Sequence, residues 1–137
     1  MDQTNPTMAH QIALAARASQ RQSTGRVPKS VTVMMNENTL VVTMHGALSP
    51  AEKALALTPA GAATLQEFHR QLFTESCSSL RRDIKTITGV DVCGASTEGD
   101  TTSGAVVQAF ADGTLVQVFL LAGKVPAGAW STEASNG

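Results

Sequence analysis

Between Ser49 and Gly89 runs the segment that most constrains what this chain can fold into. Ser49-Pro50-Ala51-Glu52 is a helix start: Ser49 can cap, Pro50 fits the first helical position without losing a needed N–H, and Glu52 can close a capping box. Thr58-Pro59 is a second start, so the short piece Pro50 to Leu57 is predicted to break before a longer helix. Leu65, Phe68, Leu72, Leu80, Ile84 and Ile87 then recur at helical spacing, with Ser76 in the gap of the series. The pattern predicts one amphipathic helix of about 28 residues, Pro59 to Thr86, ended by Gly89 at a left-handed C-cap. At ~1.5 Å per residue it is roughly 40 Å long, more than a small sheet covers. The surplus predicts packing against a neighbouring chain.

The flanks read as a shorter helix and two β blocks. From Met8 to Gln22 the chain is rich in Ala and Gln, with Met8, Ile12, Ala15 and Ala16 on one side and Arg17 and Arg21 on another. Only two stripe residues are large, so this helix needs another element or subunit to lean on. Ser30 to Met35 and Thr39 to His45 are dense in Val, Thr and Met and are separated by Asn36-Glu37-Asn38, which predicts a β-hairpin. Val31, Val33 and Met35 share one face with Leu40, Val42 and Met44, and Thr32, Thr43 and His45 fall on a mixed face. Past Gly89, Val90 to Cys93 reads as a short strand and Glu98 to Gly104 as a polar loop. Ala105 to Phe110 pairs with Leu115 to Leu121 across Asp112-Gly113. The last strand is apolar on both faces around Gln117, which suits a central strand or an interface.

The expected architecture is α+β: N-terminal helix, β-hairpin, short and long helices, then a three-strand antiparallel block, with the long helix packed on the sheet. With 137 residues, 42% of them hydrophobic, the chain is expected to form a single domain, with residues 1–7 and 123–137 as poorly ordered tails and Trp130 as the one residue of the second tail suited to docking. Charged residues make up only 15%, against a typical ~25%, while Ser and Thr total 27 and Ala 20, so small neutral side chains form much of the surface. Such a surface fits coverage by a second subunit, and a homodimer is expected. Ten basic against eleven acidic residues give no phosphate-neutralising excess, which argues against nucleic acid as a partner.

Two cysteines outside any CxxC pair, Cys77 and Cys93, fit buried structural thiols in a reducing cytoplasm. Met1 to Pro6 lacks a basic n-region, so no signal peptide is expected. The most apolar stretch, Leu115 to Ala122, is far short of the ~20 residues a spanning helix needs, so no direct membrane span is expected.

The residues point to no catalytic set, metal site or cofactor. His10, His45 and His69 lie on separate elements without HxxxH or HxH spacing, and read as surface or boundary histidines. Glu98, Asp100, Thr101 and Thr102 form a polar loop with oxygen ligands, but a calcium loop needs more carboxylates at fixed spacing. Arg81, Arg82 and Lys85 complement the negative end of the long helix. Arg26 and Lys29 have no such local reason and are the candidate contacts for an anion or an acidic partner. Residues 1–85 carry nine Lys or Arg against six acids, and residues 86–137 carry one against five, so the two ends could pair across an interface.

Three segments occur in a telling order: Gly25-Arg26-Val27-Pro28-Lys29, Leu48-Ser49-Pro50-Ala51-Glu52-Lys53, and Ile87-Thr88-Gly89-Val90-Asp91-Val92. Together they resemble the MpsC-like family, a component of a Na+-translocating membrane-potential-generating system, formerly a bacterial family of unknown function. The resemblance covers about residues 8 to 98. It implies a non-enzymatic cytoplasmic interaction or regulatory domain with a membrane-protein partner, and it carries over no catalytic residue. After Glu98 the hairpin through Asp112-Gly113 departs from the expected pattern. The rival reading is a small-ligand or anion-binding domain, conceivably an enzyme, using Arg26, Lys29 and the Glu98 to Ser103 loop at a subunit boundary.

Overall fold

The computed structural model describes residues 7–93 and 105–125. The first helix, α1 (Met8–Thr24), starts where the Thr7 side chain accepts from the His10 N–H and ends at Gly25, whose φ of 79° is left-handed. β1 (Ser30–Asn36) and β2 (Thr39–His45) pair antiparallel, with Val33 opposite Val42. The turn is Glu37-Asn38 alone, one residue shorter than expected, with Glu37 at φ 59°. Next come α2 (Pro50–Leu55) and α3 (Pro59–Thr88), then the hairpin β3 (Ala105–Ala109) and β4 (Leu115–Leu120).

Every helix signal of the central segment is realised. Ser49 Oγ accepts from the Glu52 N–H at 3.2 Å while Glu52 Oε1 accepts from the Ser49 N–H at 2.8 Å, a complete capping box. Thr58 caps α3 through the Gly61 N–H at 3.0 Å. Gly61 is also what permits the sharp break between the helices, because a Cβ there would lie 1.9 Å from the Leu55 carbonyl oxygen. α3 then runs 30 residues, about 45 Å, to Gly89, whose N–H donates to the Lys85 carbonyl at 2.7 Å.

The sheet order is β1-β2-β4-β3, antiparallel throughout, so β4 is a central strand as its two apolar faces suggested. The strand expected over Val90 to Cys93 is reduced to one bridge, Val92 to Leu121, which continues beside β4 past the start of β3. α1 and α3 pack against each other and on one face of the sheet. The core joins Ile12 and Ala16 of α1, Phe73, Leu80 and Ile84 of α3, and Leu40, Val42, Met44, Leu115 and Phe119 of the sheet, with Phe73 and Phe119 ring centroids 5.6 Å apart. Val125 is buried in the same core, and residues from Pro126, Trp130 included, lie outside the described ones. On the other face, Met34 and Leu120 are exposed.

The inward face of α3 is also corrected. The buried face of α3 includes Leu65, His69, Phe73, Leu80 and Ile84, whereas Phe68 is 49% exposed and Leu72 only half-buried. Steps of four from Leu65 to Phe73 and from Leu80 to Ile84, with a step of seven between them, keep these residues near one side of a helix of about 3.6 residues per turn.

Candidate functional site

Polar side chains gather where α2, α3, α1 and β4 converge. Glu52 uses both carboxylate oxygens: Oε1 holds the Ser49 N–H, and Oε2 lies 2.8 Å from His69 Nε2 on α3. His69 is buried and the Glu52 side chain mostly so. Burial pushes the Glu52 carboxyl up, but the Ser49 N–H, the His69 ring and the Ser49 hydroxyl outweigh it and hold it below its ordinary 4.5. Among the described residues no hydroxyl or thiol hydrogen-bonds His69, so the pair does not extend into a nucleophile relay. It ties the start of α2 to the core face of α3.

Beside His69 lies a small cavity of about 10 Å³, bounded by Gln20 and Thr24 of α1, Phe73 and Ser76 of α3, and Leu115 and Gln117 of β4. Gln20 follows Ile12 and Ala16 at fourfold spacing, which turns it inward, and Gln117 alternates with Leu115 and Phe119 on the core side of β4. Both are more than nine-tenths buried, and Gln20 Nε2 and Gln117 Oε1 have no partner among the described residues. A different polar side chain, Gln66, is fully used: its Nε2 donates to the Val107 carbonyl and its Oε1 accepts from the Ala109 N–H, both at 2.8 Å, closing the outer edge of β3.

A second feature lies on the outside. Leu14, Arg17, Ala18, Arg21 and Gln22 of α1 and Val27 beyond it line an open groove of about 520 Å³. Leu14 and Val27 are about half exposed, α1 contains no acidic residue, and no carboxylate among the described residues pairs with Arg17 or Arg21.

Of the residues singled out in the sequence, Arg26 sits in the α1–β1 connection, half-buried, with its Nε buried and unpartnered among the described residues. Lys29 is exposed, and its aliphatic stem lies against Gly46, where a Cβ would come within 2.7 Å of Lys29 Cγ. No hydrogen bond or ion pair among the described residues joins Arg26 to Lys29. Glu98, Asp100, Thr101 and Thr102 lie outside the described residues. Cys93 is a free, half-buried thiol, and Cys77 lies on α3. His10 and His45 are exposed, as expected of surface histidines, but His69 is not. It could have been found from the row Leu65, His69, Phe73, just as Gln20 could from Ile12 and Ala16.

Among the described residues no three His, Cys, Asp or Glu side chains cluster as metal ligands, and no helix is long and apolar enough to cross a membrane. Fold and site thus define a two-layer α+β protein whose buried polar groups tie elements together and whose basic groove lies outside. Residues 4–111 match the family described as Na+-translocating membrane potential-generating system (MpsC), and the chain belongs to that family. The match runs past Glu98 through β3, so the first strand of the terminal hairpin lies within the family's span. No curated protein matches the chain, and no solved structure does.

Proposed function

We propose that this chain is a non-catalytic, cytoplasmic accessory component of a Na+-translocating membrane-potential-generating system, docking on a membrane protein through the outer groove of α1. The observation that carries the reading is that groove. Exposed Leu14 and Val27 supply an apolar floor, and Arg17 and Arg21, unpaired among the described residues, supply a positive rim. Family membership supports a role in the membrane system. An amphipathic segment with acidic residues on its polar side complements such a surface in both shape and charge. Affinity capture from native membranes tests this. The chain is expected to retain an integral membrane protein, and Arg17→Glu with Arg21→Glu is expected to lower recovery at least tenfold, whereas equal recovery by the variant would count against the groove. Flotation with protein-free anionic vesicles would point to lipid instead.

A homodimer belongs to the same reading. β1 is an edge strand of seven residues, Ser30–Asn36, without a charge or a proline, and such edges invite pairing with another strand. On the opposite edge, Gln66 takes up the Val107 carbonyl and the Ala109 N–H of β3. Light scattering after size exclusion is expected to give about twice the 14.2 kDa chain mass, and Thr32→Lys with Met34→Lys to shift it to monomer. A clean monomer for the unaltered chain would remove the dimer.

A second reading, anion binding at Arg26 and Lys29, is favoured by the Arg26 Nε, which has no partner among the described residues. Phosphate or sulfate at ~100 times its dissociation constant would stabilise the fold by ~2–3 kcal/mol. The absence of any thermal shift with anions leaves the docking reading alone.

A further inference from the structure

The cavity between Gln20 and Gln117 opens a separate question of ligand chemistry. It shares Ser19, Ser23, Leu72 and Ser76 with an open groove of about 360 Å³ between α1 and α3, so the cavity lies directly behind that groove. The groove is within the size range of small-molecule sites. We propose that it binds a small uncharged polyol, with one hydroxyl of the ligand seated in the cavity between Gln20 and Gln117.

Three properties select this class. At about 10 Å³ the cavity admits one water-sized group and nothing larger. Gln20 and Gln117 both line it, and Gln20 Nε2, a donor, and Gln117 Oε1, an acceptor, are buried without a partner among the described residues. A hydroxyl satisfies both at once: its oxygen accepts from Gln20 Nε2 and its O–H donates to Gln117 Oε1. A cation would satisfy Gln117 and face the Gln20 N–H, and an anion the reverse, so a charge gains one contact and loses the other. The outer groove agrees, since Ser78 and Ser79 add hydroxyls, Leu72 gives an apolar wall for carbon-bound hydrogens, Glu75 repels anions, and no Lys or Arg lines it.

The test is a titration of the 15N-labelled chain with glycerol and myo-inositol, following the Gln20 side-chain amide, with inorganic phosphate and tetramethylammonium as charged arms. A saturable shift with a neutral polyol at millimolar concentration is expected, with none from the charged probes. Gln117→Met is expected to weaken binding about tenfold by removing the acceptor at nearly constant volume. Ser76→Leu, which puts a bulky side chain at a residue lining both groove and cavity while leaving both amides intact, is expected to abolish it and serves if Gln117→Met fails to fold. No saturable shift with either polyol, which would leave the cavity to a water molecule only, overturns the proposal. So does a shift that survives both substitutions, or one that phosphate reproduces.

Discussion

Glu52 joins two jobs that a helix cap and a core usually divide between residues. Its Oε1 closes the α2 capping box and its Oε2 satisfies His69, so truncation removes a cap and leaves a buried imidazole nitrogen unpaired. Glu52→Ala is therefore expected to cost about 2–4 kcal/mol in urea unfolding, a cap of ~1 plus an unsatisfied buried group of ~1–3. The pH dependence follows from the lowered Glu52 carboxyl. Its contribution is complete above the ordinary value of 4.5 and is lost as pH falls through the lower folded value. Glu52→Gln is expected to flatten the loss of stability below about pH 4.5, and an unchanged acid limb would contradict this assignment. Ser49, Pro50 and Glu52 are legible because a cap is written in four consecutive residues. The burial of His69 can be read from its row on α3, but its pairing with Glu52 cannot, since the two lie 17 residues apart and only folding sets them at 2.8 Å.

At the scale of elements, α3 decides how the sheet is covered. Its ends and length follow from Thr58-Pro59 and Gly89, both local signals. Which row faces the sheet is a tertiary outcome: Phe68 and Phe73 are equally apolar, but only Phe73 meets Phe119. Phe73→Ala is expected to cost about 3–5 kcal/mol and Phe68→Ala under about 1 kcal/mol, measured by denaturant unfolding. The reverse order would restore the row that the spacing of Leu65, Phe68 and Leu72 suggested. The α2–α3 break gives a second check. Gly61→Ala forces its new Cβ against the Leu55 carbonyl and is expected to destabilise the fold despite alanine's better helix propensity. β4 was readable as a central strand because no polar row interrupts either face except at Gln117. The reason for Gln117, a place beside Gln20 and His69, could not be read from a strand alone.

The whole molecule presents three unlike surfaces: an uncharged edge at β1, a hydroxyl-rich groove between α1 and α3, and a basic apolar groove outside α1. In the sequence, Arg26 and Lys29 stand out as candidate cationic contacts because neither has a local role. A basic and apolar surface runs along Arg17, Arg21, Leu14 and Val27, residues that look unremarkable until α1 is turned so that Ile12, Ala16 and Gln20 face inward. The chain belongs to the MpsC family, and the proposed docking rests on what the outer face of α1 touches. Photo-crosslinking in native membranes measures that contact directly, with a photoreactive residue at Leu14 and a control at Lys85, exposed near the end of α3. An adduct to an integral membrane protein from position 14 and none from position 85 is predicted; no adduct at 14, or equal adducts at both, would contradict docking through α1.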